Sequence, residues 1–142
     1  MRFLILGGTA WLGGYVTTTA LELGHHVSCL GCGESGPLSE DAVFVPADRD
    51  QSDAYDQVSA QGWDVVIDVS RQPGHVRRAV AALCNRASRF VFVSSGNVYA
   101  DHSTPGQDED AALLPPLHGD GRLAHGEEVP GRGGCRGSAA AP

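Results

Sequence analysis

Short apolar runs alternate along this chain with segments in which apolar residues recur every three or four positions. Arg2–Leu6 (RFLIL) is the first run. Continuous apolar character in so few residues is what a strand buried on both faces of a parallel sheet requires. Leu12, Val16, Ala20 and Leu23 then recur at helical spacing, and Gly24 follows as a natural C-terminal cap. Thr17, Thr18 and Thr19 are weak helix formers, so packing of that stripe must carry the helix. Residues 26–30 and Val43–Pro46 read as the second and third strands. Residues 50–60 read as a helix capped by Asp50 or Ser52, and Trp63–Asp68 (WDVVID) as the fourth strand. Pro73 suits the first turn of a helix reaching Leu83, with Val76, Val80 and Leu83 turned inward. Residues 90–94 (FVFVS) form the fifth strand.

Strands alternating with helices predict an α/β fold: a doubly wound parallel sheet of about five strands, incomplete for its class, with right-handed crossovers. Past Tyr99 the pattern fades. Residues 101–120 read as a surface loop rich in Asp, Pro and Leu. Residues 121–142 hold 6 Gly, 4 Ala, 3 Arg and 2 Pro with no aromatic residue, a composition that predicts a low-complexity, disordered tail. The expected organisation is therefore one domain over 1–120 followed by that tail, with the bias in the tail read as a truncated or out-of-frame ending.

Charge narrows the partners. A net charge of −7 argues against nucleic acid or an anionic membrane surface as the main partner. No apolar run approaches the roughly 20 residues of a membrane span. The apolar run at residues 3–6 is shorter than the about 7–15 residues of a secretory signal, so a cytoplasmic location is expected. Cys29, Cys32, Cys84 and Cys135 lack the second close pair that a structural zinc site needs, and are expected to be reduced. The acidic run Asp108-Glu109-Asp110 near His102 reads as solvated charge; no metal is expected.

The chemistry sits in two short stretches. Gly7-Gly8-Thr9-Ala10-Trp11-Leu12-Gly13 lies between the first strand and the first helix. A dinucleotide's diphosphate needs a tight turn, backbone N–H groups within reach and the positive end of a helix dipole. Gly7 and Gly8 permit the turn, Gly13 lets the helix lie close, and the N–H groups of Thr9 to Leu12 face the phosphates. Ala10 stands where such motifs usually carry glycine, and its methyl group moves the diphosphate outward without blocking it. The second stretch is Val93-Ser-Ser-Gly-Asn-Val-Tyr99, at the end of the fifth strand.

Together, GGTAWLG and VFVSSGNVY resemble the extended short-chain dehydrogenase/reductase family, the NAD-dependent epimerases and dehydratases, over residues 1–120. The resemblance implies a Rossmann domain holding NAD or NADP, with a separate substrate domain, and activity on small molecules such as nucleotide sugars. It places Cys32 where an arginine often meets the 2′-phosphate of NADP, which leaves cofactor choice open and leaning to NADP. It places Asp48 at the adenine amino group, and Val69 and Ser70 where the chain passes over the cofactor's adenosine and ribose. Ser95 becomes the catalytic hydroxyl that bonds the substrate oxygen, and Asn97 a substrate contact. Asp68 reads chiefly as an ordinary strand-end residue.

One element of that family is missing from the sequence. Its acid/base is a Tyr-x-x-x-Lys pair, in which lysine lowers the phenol's pKa. All ten basic residues here are arginine, so no such pair exists. The segment from His125 to Val129 puts histidine and valine in those places, and His125 reads as solvated. The expectation is the NAD(P)-binding portion of an epimerase, dehydratase or reductase, inactive alone, meeting a small-molecule substrate only in a full-length relative. The family's usual dimer interface should also be missing. The alternative is a non-catalytic NAD(P)-binding sensor.

Overall fold

The computed structural model describes residues 1–115. In chain order these residues form β1 (Arg2–Leu6), α1 (Trp11–Glu22), β2 (His26–Gly31), β3 (Val43–Pro46), the short α2 (Asp56–Ser59), β4 (Trp63–Asp68), α3 (Pro73–Leu83) and β5 (Ala87–Phe92). A single turn of 3-10 helix follows at Gly96–Val98. The five strands make one all-parallel sheet in the order β3-β2-β1-β4-β5. The α/β doubly wound reading is borne out. The order turns back between β1 and β4, the place in such sheets where a crevice opens at the strands' carboxyl ends.

Alternation along the inner strands sorts the core into two layers. Leu4, Leu6, Leu30 and Val66 face one side and pack with Tyr55, Val58, Ala79 and Leu83 from α2 and α3. Ile5, Val27 and Cys29 face the other and pack with Ala20 of α1. Each such side chain removed from water contributes about 1.5–3 kcal/mol, which is why the two central strands read so clearly as apolar runs.

Several boundaries differ from expectation. α1 turns Gly13, Thr17 and Ala20 inward, and Leu23 is exposed. Small residues win that face because the helix lies too close to the sheet for larger ones. Thr17 is accommodated because its hydroxyl donates to the Gly13 carbonyl at 2.8 Å. The helix ends as Gly24 predicts: Gly24 takes φ +78°, its N–H meets the Leu21 carbonyl, and the His25 N–H meets Ala20. The helix expected over 50–60 shrinks to Asp56–Ser59, with neither Asp50 nor Ser52 as cap, because turns closed on Asp48 and Asp53 occupy the preceding residues. On α3, Ala79 is buried with Leu83 while Val80 is exposed.

β5 begins at Ala87, earlier than its apolar residues indicate, and its pairing ends at Phe92. An edge strand tolerates Ser88 and Arg89 because half of it faces water. Tyr99 pairs antiparallel with Leu113, which closes residues 100–112 into an ordered surface loop. Residues 116–120 of the expected domain, the expected tail at 121–142 with His125, and Cys135 lie outside the described residues. No helix of the described residues is long and apolar enough to cross a membrane.

Candidate functional site

The turn between β1 and α1 is built by exclusion of side chains. Gly7 adopts φ +91°, which other L-residues rarely adopt, and its N–H is held by the Leu30 carbonyl at 2.9 Å. A methyl group at Gly13 would lie 2.1 Å from the Gly7 carbonyl oxygen, so the helix docks directly on the turn. A methyl at Gly8 would lie 2.4 Å from the Cys29 sulfur. Gly8 thus serves close approach to β2 rather than the turn itself. Burial raises the Cys29 thiol's pKa above its ordinary value, and a hydrogen bond with the Thr17 hydroxyl offsets part of that rise.

The backbone donors divide unequally. Ala10 spends its N–H on the Gly7 carbonyl at 3.0 Å, so it is not one of the free donors expected at the turn. The first helical bond runs from Gly14 N–H to the Ala10 carbonyl at 2.7 Å. The N–H groups of Trp11, Leu12 and Gly13 therefore precede any helical acceptor and lie at the positive end of the α1 dipole. Trp11 is 85% exposed and does not fill the mouth. Three donors, a glycine floor and an open entrance fit an anionic diphosphate.

Three further segments gather beside this turn. Residues 31–36 wrap around Thr9: a methyl at Gly31 would lie 3.9 Å from the Thr9 hydroxyl, and one at Gly36 would lie 3.4 Å from the Thr9 carbonyl oxygen. Cys32 and Glu34 are exposed on that segment. Cys29 and Cys84 carry free thiols. Cys29 does not pair with Cys32, because one faces the core and the other the surface. Val69 packs on Gly7, where an added methyl would lie 3.0 Å from its Cγ2, and its N–H bonds the Leu6 carbonyl. Asp48 is half-buried at the end of β3. Its carboxylate accepts from the Asp50 N–H at 3.0 Å and the Gln51 amide at 3.3 Å, so it carries a turn.

Ser95 and Asn97 lie at the carboxyl end of β5, both exposed, with Ser95 leading into the Gly96–Val98 turn. The structure thus brings the glycine turn, the β2 end and Val69–Ser70 together, and leaves Ser95 and Asn97 on the same sheet edge beyond β4. Among the described residues no three His, Cys, Asp or Glu side chains stand together as a metal site.

The most buried polar group here is only faintly marked in the sequence. Asp68, fully buried at the end of β4, forms a two-pronged ion pair with Arg49 at 2.7 and 3.0 Å. Burial works against the Arg49 charge, but the Asp68 carboxylate overrides it and holds the guanidinium pKa above its ordinary value. Burial also raises the Tyr55 phenol, offset in part by the Arg49 charge. An arginine flanked by two aspartates after a short strand was the available signal, but its partner lies 19 residues away.

Comparison with known proteins gives the same fold. No family model matches the chain. It is 25% identical over 141 residues to the chloroplast stem-loop binding protein of 41 kDa b from Arabidopsis thaliana, covering 86% of this chain and 36% of that protein. An epimerase from Methanothermobacter thermautotrophicus superposes over 82% of this chain and 42% of its own, with a TM-score of 0.70 and 20% identity. The UDP-Glc/GlcNAc 4-epimerase of Campylobacter jejuni covers 81% and 43%, with a TM-score of 0.70 and 15% identity. The UDP-glucose 4-epimerase of Thermotoga maritima covers 82% and 45%, with a TM-score of 0.65 and 18% identity. The resemblance read from the two motifs is borne out at the level of fold, and the chain spans less than half the length of these relatives.

Proposed function

We propose that this chain is the NAD(P)-binding portion of an epimerase, dehydratase or reductase of small molecules such as nucleotide sugars. The observation that carries the reading is the glycine turn at the sheet's switch point, with N–H groups at Trp11, Leu12 and Gly13 that precede any helical acceptor and with Trp11 turned to solvent. Those groups would hold the diphosphate, with Gly7 to Gly13 as the floor. The β2 end at Cys32, with Asp48, Val69 and Ser70, would receive the adenosine half. The nicotinamide, when bound, supplies hydride chemistry; Ser95 would steady the substrate oxygen beside it and Asn97 would contact substrate. The 142 residues alone are expected to bind without turnover, since they hold no lysine to serve a Tyr-x-x-x-Lys pair.

Calorimetric titration with NAD, NADH, NADP and NADPH tests this. Heat and a thermal shift with at least one are expected, and silence with all four sinks the reading. The lean to NADP rests on family resemblance; the exposed 32–35 segment carries Glu34 and no arginine, so the two phosphorylated forms decide it. Ala10→Gly should keep or improve affinity by allowing closer backbone approach. Clear weakening would mean that the phosphate lies elsewhere.

A second reading, a non-catalytic dinucleotide sensor, is favoured by the curated relative's name, which describes binding and no reaction. The stem-loop in that name is not carried to this chain, whose charge of −7 opposes a phosphate backbone. Binding of NAD(P) with no turnover in a version extended to the relatives' length would favour the sensor.

A further inference from the structure

Resting on the dinucleotide reading, we propose that the buried Arg49–Asp68 pair is a positioning device for the adenosine half of the cofactor. It fixes the turn at Asp48 against the turn at Val69–Ser70.

The Arg49 side chain reaches three separate parts of this corner. Its Nη1 and Nη2 meet the two Asp68 oxygens, its Nε donates to the Tyr55 hydroxyl at 2.7 Å, and Nη2 also reaches the His75 carbonyl at 3.2 Å. The Tyr55 hydroxyl in turn donates to that same His75 carbonyl at 3.1 Å. The Arg49 carbonyl accepts from Arg78 at 2.7 Å. On the far side, Asp68 Oδ1 accepts the Ser70 N–H at 2.9 Å. One carboxylate therefore bridges the residue next to Asp48 and the backbone of Ser70, with the first turn of α3 tied to both.

Stability alone does not require this arrangement. Desolvating two charges offsets much of their attraction, and apolar residues of like volume hold a core equally well. An ion pair supplies fixed direction instead. Arg49 and Asp68 are 6% and 0% exposed, so neither can touch the cofactor; they act through Asp48 and Ser70, which can. A guanidinium's planar fork sets both distance and angle between two strand ends, which an ammonium does not.

The test compares Arg49→Lys with Val27→Ala, a core variant on the α1 face, in the full chain. Each is titrated with ADP-ribose and with inorganic pyrophosphate, at temperatures chosen so that the two are equally far below their own Tm. Arg49→Lys should bind ADP-ribose about 10-fold more weakly than Val27→Ala while binding pyrophosphate as the unaltered chain does. An ADP-ribose affinity equal to that of Val27→Ala, or an equal loss for pyrophosphate, overturns the proposal and leaves the pair a structural strut. Should Arg49→Lys fail to fold, Tyr55→Phe replaces it, removing one hydroxyl that orients the fork. A roughly 3-fold loss for ADP-ribose alone is expected, and no loss overturns the proposal. If the unaltered chain binds pyrophosphate and ADP-ribose no better than buffer, the dinucleotide reading itself has failed, a result separate from either variant's.

Discussion

A methyl group added at Gly13 would lie 2.1 Å from a backbone oxygen, whereas one added at Gly96, beside Ser95, would meet nothing within 4 Å. The two glycines belong to the two motifs that point to chemistry, yet they sit in opposite surroundings. The glycine turn is enclosed by β1, β2, α1 and Val69, and its shape is set by residues already in place. The serine turn hangs from β5, an edge strand on which Val91 and Phe92 remain more than 40% exposed. The comparison teaches that the described residues enclose the glycine turn and present, without enclosing, the sheet edge that carries Ser95.

The largest expected effect is at the enclosed end. Gly13→Ala should cost at least about 3 kcal/mol or prevent folding, because backbone rather than a flexible side chain stands in the way. A thermal melt within a degree of the unaltered chain would show that the turn is looser than its geometry. Gly8→Ala comes next, at about 2–3 kcal/mol, its methyl forced against the Cys29 sulfur. Adding Cys29→Ala should recover about 1 kcal/mol beyond additivity in a double-mutant cycle, and strict additivity would deny the contact. At the open end, Ser95→Ala should change stability by less than about 0.5 kcal/mol and leave dinucleotide affinity unaltered, since the side chain is exposed and caps nothing. A marked loss in either would mean that the serine turn belongs to the cradle.

The smallest effect concerns the loop beyond. Asp101 accepts from the Ser103 hydroxyl and backbone N–H and from the Thr104 hydroxyl, which lower its pKa to about 2. A lowered folded-state value means that this contribution is present above the unfolded carboxylate's pKa of about 3.9 and is lost as pH falls toward about 2. The amide resonance of Ser103 should move across that window while the core signals hold. Movement centred near the ordinary carboxylate value would show that these hydrogen bonds do not persist in solution.

How much of this was legible beforehand follows from what each segment must satisfy alone. β1 and β4 were bounded correctly because strands flanked on both sides write themselves as apolar runs ended by turn residues, and the edge strand β3 because its short apolar run closes at Pro46. The glycine turn was legible because Gly7 and Gly13 answer local demands. The buried face of α1 was legible only in part: Gly13 and Ala20 were expected on it, but Thr17 is chosen for smallness and a search for apolar residues passes over it, while Leu23 is exposed. The start of β5 was hidden by Ser88 and Arg89, which only an edge strand admits. The Arg49–Asp68 pair was out of reach for another reason: the aspartates flanking Arg49 are the one local mark, and they do not name a partner 19 residues away until the sheet brings two strand ends together.

The sulfur beneath Gly8 has a consequence for handling this protein. A space that cannot admit a methyl group cannot admit the oxygen of a sulfenic acid, so oxidation of Cys29 would lever the turn away from β2. The thiol is sheltered because no part of it reaches solvent, and burial also raises its pKa above the ordinary value; both slow its reaction with peroxide. Brief peroxide treatment should therefore spare Cys29 and attack the exposed Cys84 first, leaving the helix mouth in shape until the fold itself opens.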